Sequence, residues 1–174
     1  MRGVAGRFLF CERKHPPMDG IVLQALTPGN ADEAAKLIRA AFAAQSRVTR
    51  PPSSALRETG DSVAAKIKAG GGIGAFDGGE LVALALWLID EDALHIGRLS
   101  VLPSWRGRGL ARALIAACEK EAKERGLERM SLRVRLELPE NERLFERYGF
   151  KRLGFDVHQG FDAPTQAIME MSLG

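Results

Sequence analysis

The chain has 174 residues, the size of one compact domain, and carries 25 Lys and Arg against 22 Asp and Glu, for a formal net charge of +3. Hydrophobic residues make up 45% and charged residues 27%, which excludes collagen, disordered tails and disulfide-dense toxins. An excess of three positive charges favours a nucleic-acid partner only weakly, and it suits an anionic small ligand equally well.

The cysteines and the apolar runs exclude further classes of protein. Cys11 and Cys118 form no disulfide framework or zinc-binding pattern, so we expect no metal and a cytoplasmic, reducing location. No apolar run approaches the ~18 residues of a membrane helix, so no membrane partner is expected. Residues 1–19, with Arg2 and Arg7 around a short apolar patch, do not resemble a signal peptide. They are predicted to be a flexible extension before one domain at 20–174.

The first half of this domain predicts a strand, two helices and a hairpin. A capping box at Asn30-x-x-Glu33 opens the first helix, and Ser53 or Ser54 caps a second, weaker helical region that ends at Gly70. The turn Asp77-Gly78-Gly79 joins the hairpin strands. The predicted strands are 21–26, 73–76, 81–88 and a continuous strand at 94–102.

The second half alternates helices with strands. A helix begins at Leu110 and stops at Gly126, and a shorter one covers 139–147. Strands are predicted at 130–136, 150–157 and 167–173. The element order predicts a mixed α/β domain, with helices flanking one central, mostly antiparallel sheet.

One segment carries recognisable chemistry, because a strand, a glycine-rich turn and an amphipathic helix follow one another there. The turn is Arg106-Gly107-Arg108-Gly109-Leu110-Ala111. Helix N-termini bind anions through free N–H groups, and glycine lets the backbone approach a phosphate closely. With Arg112 one position further on, three arginines are predicted to surround the same spot. The pattern indicates a cradle for a diphosphate.

Two common phosphate-binding motifs do not fit this turn. A P-loop requires G-x-x-x-x-G-K-[ST], which is absent, and a dinucleotide fingerprint requires Gly or Ala where Arg112 stands. A glycine-rich turn with solvated arginines is the remaining alternative.

The turn resembles the acetyl-CoA loop of the GCN5-related N-acetyltransferase (GNAT) family, [Gln/Arg]-x-x-Gly-x-[Gly/Ala]. Pro139-Glu-Asn141, Leu144-Phe-Glu-Arg and Tyr148-Gly-Phe150 are similar to that family's second motif. The resemblance covers about residues 21–173 and implies the GNAT-like acyl-CoA N-acyltransferase fold, with acetyl-CoA as cosubstrate.

The resemblance also assigns cofactor-binding residues. Backbone groups of Leu99 and Val101 would pair with the pantetheine arm, and an amide between Leu99 and Val101, a stretch that includes Ser100, would stabilise the oxyanion. Amides of residues 106–111 would hold the diphosphate, beside Arg112. Asn141 and Phe145 would contact the CoA arm, although Asn141 can instead cap the short helix.

The pattern also offers candidate catalytic residues. His95 lies six residues before Val101, where many family members carry a glutamate base, and strand alternation would place residues 95, 97, 99 and 101 on one face. Phe145 occupies the position of the family's usual tyrosine acid. Tyr148, the only tyrosine, is the remaining candidate acid, with core packing as its alternative role.

The expected function is therefore acetyl transfer from acetyl-CoA to a primary amine of a small molecule or peptide. A non-catalytic acyl-CoA-binding module is the alternative, because Phe145 has no proton to give. A nucleic-acid binder is disfavoured, since the basic residues concentrate at one phosphate-sized point. Dimers through the last strands are frequent in the family, so a homodimer is a further expectation.

Overall fold

The computed structural model describes residues 18–174, so the predictions for Cys11 and residues 1–17 lie outside the described residues. The elements follow in the order β1 (Ile21–Ala25), α1 (Ala31–Ala43), α2 (Gly60–Ala69), β2 (Gly71–Asp77), β3 (Glu80–Asp90), β4 (Ala93–Ile96), β5 (Ser100–Val101), α3 (Leu110–Glu124), β6 (Arg129–Arg135), α4 (Pro139–Arg147), β7 (Lys151–Asp156) and β8 (Gln166–Ser172). Short 3-10 turns precede α1, α2 and α3. None of the helices within 18–174 is long and apolar enough to cross a membrane.

The strands form one eight-stranded sheet in the order β1-β2-β3-β4-β6-β8-β7, with β5 also paired to β3. Every pairing is antiparallel except β4 with β6. This arrangement confirms the predicted mixed, mostly antiparallel sheet. The β2–β3 turn has Gly78 and Gly79 at positive φ, as its sequence predicts.

Two apolar cores cover opposite faces of the sheet, because β3 is buried on both sides. Ala83, Ala85 and Trp87 pack with α3 on one face, which we call the α3 face. Leu84 and Leu86 pack with α1 and α2 on the other, the α1/α2 face. Cys118 is fully buried in the α3 core, and burial raises the pKa of its thiol to about 12, so it is a core residue.

The predicted cap of α1 is wrong in its chemistry. Asn30 occupies the N-cap position but makes no side-chain cap to α1; its Oδ1 accepts the backbone N–H of Thr27 instead. Glu33 does not complete the predicted capping box either, because its Oε1 accepts the N–H of Leu81 at the start of β3. The helix forms where predicted because its apolar face packs on the sheet.

The predicted helical region after Ser53 is two elements. Ser53 caps a single 3-10 turn at Ser54–Arg57, where its Oγ accepts the N–H of Ala55. A new cap at Thr59, whose Oγ1 accepts the N–H of Ser62, starts α2.

The strand predicted at 94–102 is broken, and this correction matters most for the site. Ile96 pairs with Trp87 and Ser100 pairs with Leu84, so four steps on this strand oppose three on β3. One extra residue is therefore accommodated between Ile96 and Ser100, as in a β-bulge. The break separates β4 from β5.

The bulge also reverses the alternation of side chains, so residues 95, 97, 99 and 101 do not share a face. Before it, Leu94 and Ile96 lie in the α3 core. After it, Leu99 and Val101 pack against that same core. His95, which alternates with Leu94 and Ile96, consequently lies on the α1/α2 face.

Candidate functional site

The strands separate in the middle of the sheet and leave a wedge-shaped opening. β4 and β6 pair from Ala93 with Arg129 to Ile96 with Leu132. Beyond that point β5 pairs with β3, and residues 133–135 of β6 pair with β8. We call the space between β5 and residues 133–135 the β5–β6 gap. The backbone groups along its two edges are not paired with each other. An extended ligand can therefore bind in the gap by pairing with them, as an added strand would.

The glycine-rich turn lies directly after β5, at the N-terminus of α3. Gly107 and Gly109 have φ of 75° and 87°, so both adopt the left-handed conformation for which the sequence analysis required glycine. A Cβ at either position would meet no described atom within 4 Å, so residues 18–174 leave the space above the turn open. Among those residues no side chain caps α3, whose first backbone bond runs from the N–H of Ala113 to Gly109 O. The N–H groups of the first turn are therefore available to an anion.

The three arginines of the turn do not surround one spot as predicted. The guanidinium of Arg106 donates to Ala44 O at 3.1 Å and to Ala41 O at 2.9 Å, at the C-terminal end of α1. It binds the turn to α1, and its backbone remains for a ligand. Arg108 stacks on the indole of Trp105 at 4.3 Å, and Arg112 is exposed on the first turn of α3. Of the three arginines predicted at the turn, Arg108 and Arg112 therefore remain near it.

The backbone after the bulge presents amides to the gap. The N–H of Leu102 donates to Val82 O on β3 at 3.1 Å. Backbone N–H groups alternate between the two edges of a strand, so those of Leu99 and Val101 point away from β3 and toward the gap. Ser100 is 2% exposed and lies opposite Leu84 on the α1/α2 face.

His95 is held as a neutral imidazole at the narrow end of the gap. Its Nδ1 lies 3.0 Å from Ser131 Oγ, and its Nε2 lies 3.4 Å from Arg133 Nη1. A guanidinium only donates, so Nε2 accepts and Nδ1 carries the proton toward Ser131. Burial and the charge of Arg133 lower the pKa of His95, against a smaller opposing effect of Asp90. The side chain is thus unprotonated at neutral pH.

The residues of the second motif lie on the opposite face. Phe145 and Tyr148, from the end of α4, pack against the α3 core, and Phe145 meets Phe150 edge to face at 5.9 Å. Asn141 does not cap α4, because Leu138 occupies the N-cap position. Its side chain makes no hydrogen bond to another residue in 18–174, so its amide is free for a ligand. The alternative role of Asn141 as the cap of the short helix is therefore wrong, and its contact with the CoA arm stays a prediction.

A connecting segment between α1 and α2, residues 50–54, spans the gap on the α1/α2 face. Pro51 O accepts from Arg135 on β6, and Ser54 Oγ accepts from Arg98 Nη2 at 2.9 Å on the other side. The N–H of Arg50 donates to Glu137 Oε1 at 2.8 Å. The sequence analysis missed Arg98 and Arg135, because their partners lie far away in sequence and no local pattern points to them.

A second histidine borders the same segment. His158 lies 2.7 Å from Arg135 through its Nε2, and 2.6 Å from Thr165 Oγ1 through its Nδ1. Burial and the Arg135 charge lower its pKa, opposed by Asp156 and Glu137. His158 differs from His95 in that its arginine lies near both ring nitrogens, because Arg135 Nη1 is also 3.1 Å from Nδ1. Within residues 18–174, no group of three or more His, Cys, Asp or Glu side chains is placed to hold a metal ion.

Comparison with known proteins agrees with this architecture. The model of the Acetyltransferase (GNAT) family matches residues 36–150, which is more than half of the chain and includes the bulge, the turn and α4. The chain therefore belongs to the GNAT acetyltransferase family, whose chemistry is acetyl transfer from an acyl-CoA. No curated protein matches the chain.

Solved structures of the same fold are distant in sequence. The PaiA N-acetyltransferase from Thermoplasma acidophilum, in complex with coenzyme A, is 18% identical with a TM-score of 0.73, over 87% of this chain and 98% of that one. The ribosomal-protein-S18-alanine N-acetyltransferase from Escherichia coli is 20% identical with a TM-score of 0.70, over 88% and 94%. The IAA acetyltransferase from Bacillus cereus is 16% identical with a TM-score of 0.65, over 88% and 99%. These likenesses show the fold, and their different names leave the acceptor open.

Proposed function

We propose that the protein is an N-acetyltransferase that moves the acetyl group of acetyl-CoA to a primary amine of a small molecule or peptide. One observation carries the proposal: a strand edge opens into the β5–β6 gap directly before an uncapped helix N-terminus. Gly107 and Gly109 leave open space above that N-terminus. A diphosphate on the first turn of α3 and an extended arm along β5 fit these two features together.

Binding uses backbone groups more than side chains. The amides of Gly107 to Ala111 aim at the diphosphate, with Arg108 and Arg112 as nearby cations. The edge of β5 at Leu99 and Val101 pairs with the amide groups of the pantetheine arm. Phe145 and Asn141, on α4, line the other side of that arm. Because backbone groups bind the diphosphate, the side chain of Arg106 is not needed there and binds the end of α1.

The acyl transfer requires one new bond and one broken bond. The neutral amine attacks the thioester carbonyl carbon, the C–N bond forms, the C–S bond breaks, and the sulfur leaves as a thiolate. Negative charge accumulates on the carbonyl oxygen during attack. An N–H of the β5 edge, from Leu99 or Val101, is the donor for that oxygen, and such donors lower the barrier strongly.

Two protons must also move. An acceptor that arrives as an ammonium ion must lose one, and His95, neutral and at the narrow end of the gap on the α1/α2 face, is the proposed base, directly or through water. Its Nε2 lone pair faces Arg133 Nη1 at 3.4 Å, so that guanidinium must turn aside before Nε2 takes the proton. The thiolate must gain a proton. Tyr148 lies on the other face with α4, and it, water or the product ammonium supplies that proton.

A non-catalytic acyl-CoA-binding module is the competing function, and Phe145 is the observation that favours it. In that case the same turn and gap would bind acetyl-CoA, but no amine would be acetylated. The two functions share the binding site and differ only in turnover.

A free-thiol assay separates them. The protein is incubated with acetyl-CoA and a panel of amino acids, polyamines, aminoglycosides and N-terminal peptides, and thiol release is followed spectrophotometrically. We expect amine-dependent release with at least one class, and much slower but measurable release in His95→Gln. Tight acetyl-CoA binding without release on any amine would support the non-catalytic module, and absence of binding would refute both.

A further inference from the structure

A buried ionic cluster lies against the bulge between β4 and β5. Glu58, at its centre, is 3% exposed. Its Oε1 accepts from Arg98 Nε at 2.9 Å, and its Oε2 accepts from Lys66 Nζ at 3.0 Å and from the hydroxyl of Ser62. Burial alone would raise the pKa of Glu58, but the hydrogen bonds from Ser62, Lys66 and Arg98 outweigh it and hold that pKa below its usual value. The carboxylate is charged, and both of its oxygens are occupied.

Such clusters are weak evidence for stability, because removing two or three charges from water offsets most of their attraction. A specific geometric role is the better explanation here, since Arg98 stands between Gly97 and Leu99. Its Nη2 also donates to Ser54 Oγ at 2.9 Å, so both the Nε and the Nη2 edge of the guanidinium are fixed on the α1/α2 face.

Arg98 and the bulge depend on each other. In a regular strand, residue 98 would share the face of Leu94 and Ile96, which are buried in the apolar α3 core. A guanidinium there would be an unpaired charge in an apolar environment. Glu58 instead holds Arg98 on the opposite face, and the strand accommodates this by inserting one residue at Gly97, which is exposed.

The bulge also decides which amides face the gap. The N–H of Gly97 donates to Leu86 O at 2.8 Å, and the N–H of Leu102 donates to Val82 O at 3.1 Å. Both acceptors belong to β3, although the donors are an odd number of residues apart. In a regular strand, residues 97, 99 and 101 would all direct their N–H groups to β3. Only the bulge turns the N–H groups of Leu99 and Val101 into the gap.

We propose that Glu58 is a positioning residue for acyl transfer: through Arg98 it sets the bulge that turns the N–H groups of Leu99 and Val101 into the gap, where one of them donates to the thioester carbonyl. This inference rests on the proposed function for the identity of the carbonyl. The link from Glu58 to the direction of the amide rests on the hydrogen bonds alone, so the two can be tested separately.

The test compares two variants of the same carboxylate cluster. Glu58→Gln removes the charge that holds Arg98 and keeps the size of the side chain. Lys66→Met is the matched control, because it removes the other ion pair of Glu58 and leaves the contact with Arg98. Arg98→Lys is a second probe. A lysine ammonium lacks the planar set of donors with which the guanidinium binds Glu58 and Ser54 at the same time.

The readout is the infrared carbonyl band of bound, carbonyl-labelled acetyl-CoA, with kcat and the Kd of CoA measured alongside. The wild type should shift the band to lower frequency than in free acetyl-CoA. Glu58→Gln and Arg98→Lys should move it back and lower kcat about tenfold or more, as expected when an oxyanion donor is misdirected. The Kd of CoA, which has no carbonyl at that position, should change less than about threefold. Lys66→Met should keep the wild-type band.

Amide hydrogen exchange on the ligand-free protein tests the structural link alone. In the wild type, the amides of Gly97 and Leu102 should exchange slowly and those of Leu99 and Val101 rapidly. Glu58→Gln should abolish this contrast. A folded Glu58→Gln with wild-type exchange, band position and kcat would overturn the inference. If the contrast is lost but the wild type binds no acetyl-CoA, the proposed function fails while the link from Glu58 to the bulge stands.

Discussion

Replacing Gly109 by glutamate tests the turn at the start of α3, and a matched glycine is available at the other end of the same helix. Gly109 has φ of 87° and Gly126 has φ of 72°, and a Cβ at either would meet no described atom within 4 Å. The two positions therefore impose similar backbone strain, and neither substitution causes a clash. They flank α3 at its two ends, about 25 Å apart. Only Gly109 faces the proposed diphosphate.

The expected magnitudes follow from these geometries. A non-glycine residue in the left-handed region costs about 1–2 kcal/mol, so both Gly109→Glu and Gly126→Glu should lower the Tm by a few degrees. At Gly109 the new carboxylate also occupies the open space above the turn and repels a phosphate. Loss of one charge-assisted hydrogen bond, about 1.5–3 kcal/mol, weakens CoA binding roughly ten- to 150-fold.

Calorimetric titration with CoA and thermal unfolding of both variants separate binding from strain. Gly109→Glu should bind CoA at least about tenfold more weakly than the wild type. Gly126→Glu should bind CoA like the wild type despite its lower Tm. A Gly109→Glu protein that binds CoA with wild-type affinity would refute the assignment of the turn as the diphosphate site.

Three other predictions concern single side chains. Because burial and the charge of Arg133 lower the pKa of His95 and the base must be unprotonated, the acid limb of kcat/KM should have its midpoint below the usual histidine pKa. His95→Gln should remove that acid limb, and an unchanged profile would contradict the role as base. Phe145→Tyr supplies the hydroxyl that the resemblance expects and should raise kcat with little change in the Kd of CoA, whereas a fall in kcat would argue that the ring only packs. Burial raises the pKa of Cys118 to about 12, so in a Cys11→Ser variant an aromatic disulfide reagent should label Cys118 only after denaturation; rapid labelling of the native protein would contradict its core position.

Much of the fold was predictable because its signals are local. The left-handed glycines at the β2–β3 turn and before α3 could be identified from residue type alone. The amphipathic pattern after the glycine-rich turn predicted α3, which buries one face against the sheet. The family resemblance rested on the same turn and was confirmed over residues 36–150.

The failures share a different cause, which is a partner far away in the chain. The strand predicted at 94–102 breaks because Arg98 pairs with Glu58, 40 residues earlier. Arg106 leaves the turn for the carbonyl of Ala41, 65 residues earlier. Periodicity and composition contain no information on such contacts, so the face of His95 and the direction of the Leu99 amide required the structure.

The most direct test of the account is a titration of the 15N-labelled, 18.9 kDa protein with CoA, followed by two-dimensional amide NMR. The account predicts that the amides of Gly107, Gly109, Leu110 and Ala111 shift downfield more than any others and saturate at one equivalent, as expected for N–H groups that donate to a phosphate. Saturable binding in which these four amides do not move would contradict it.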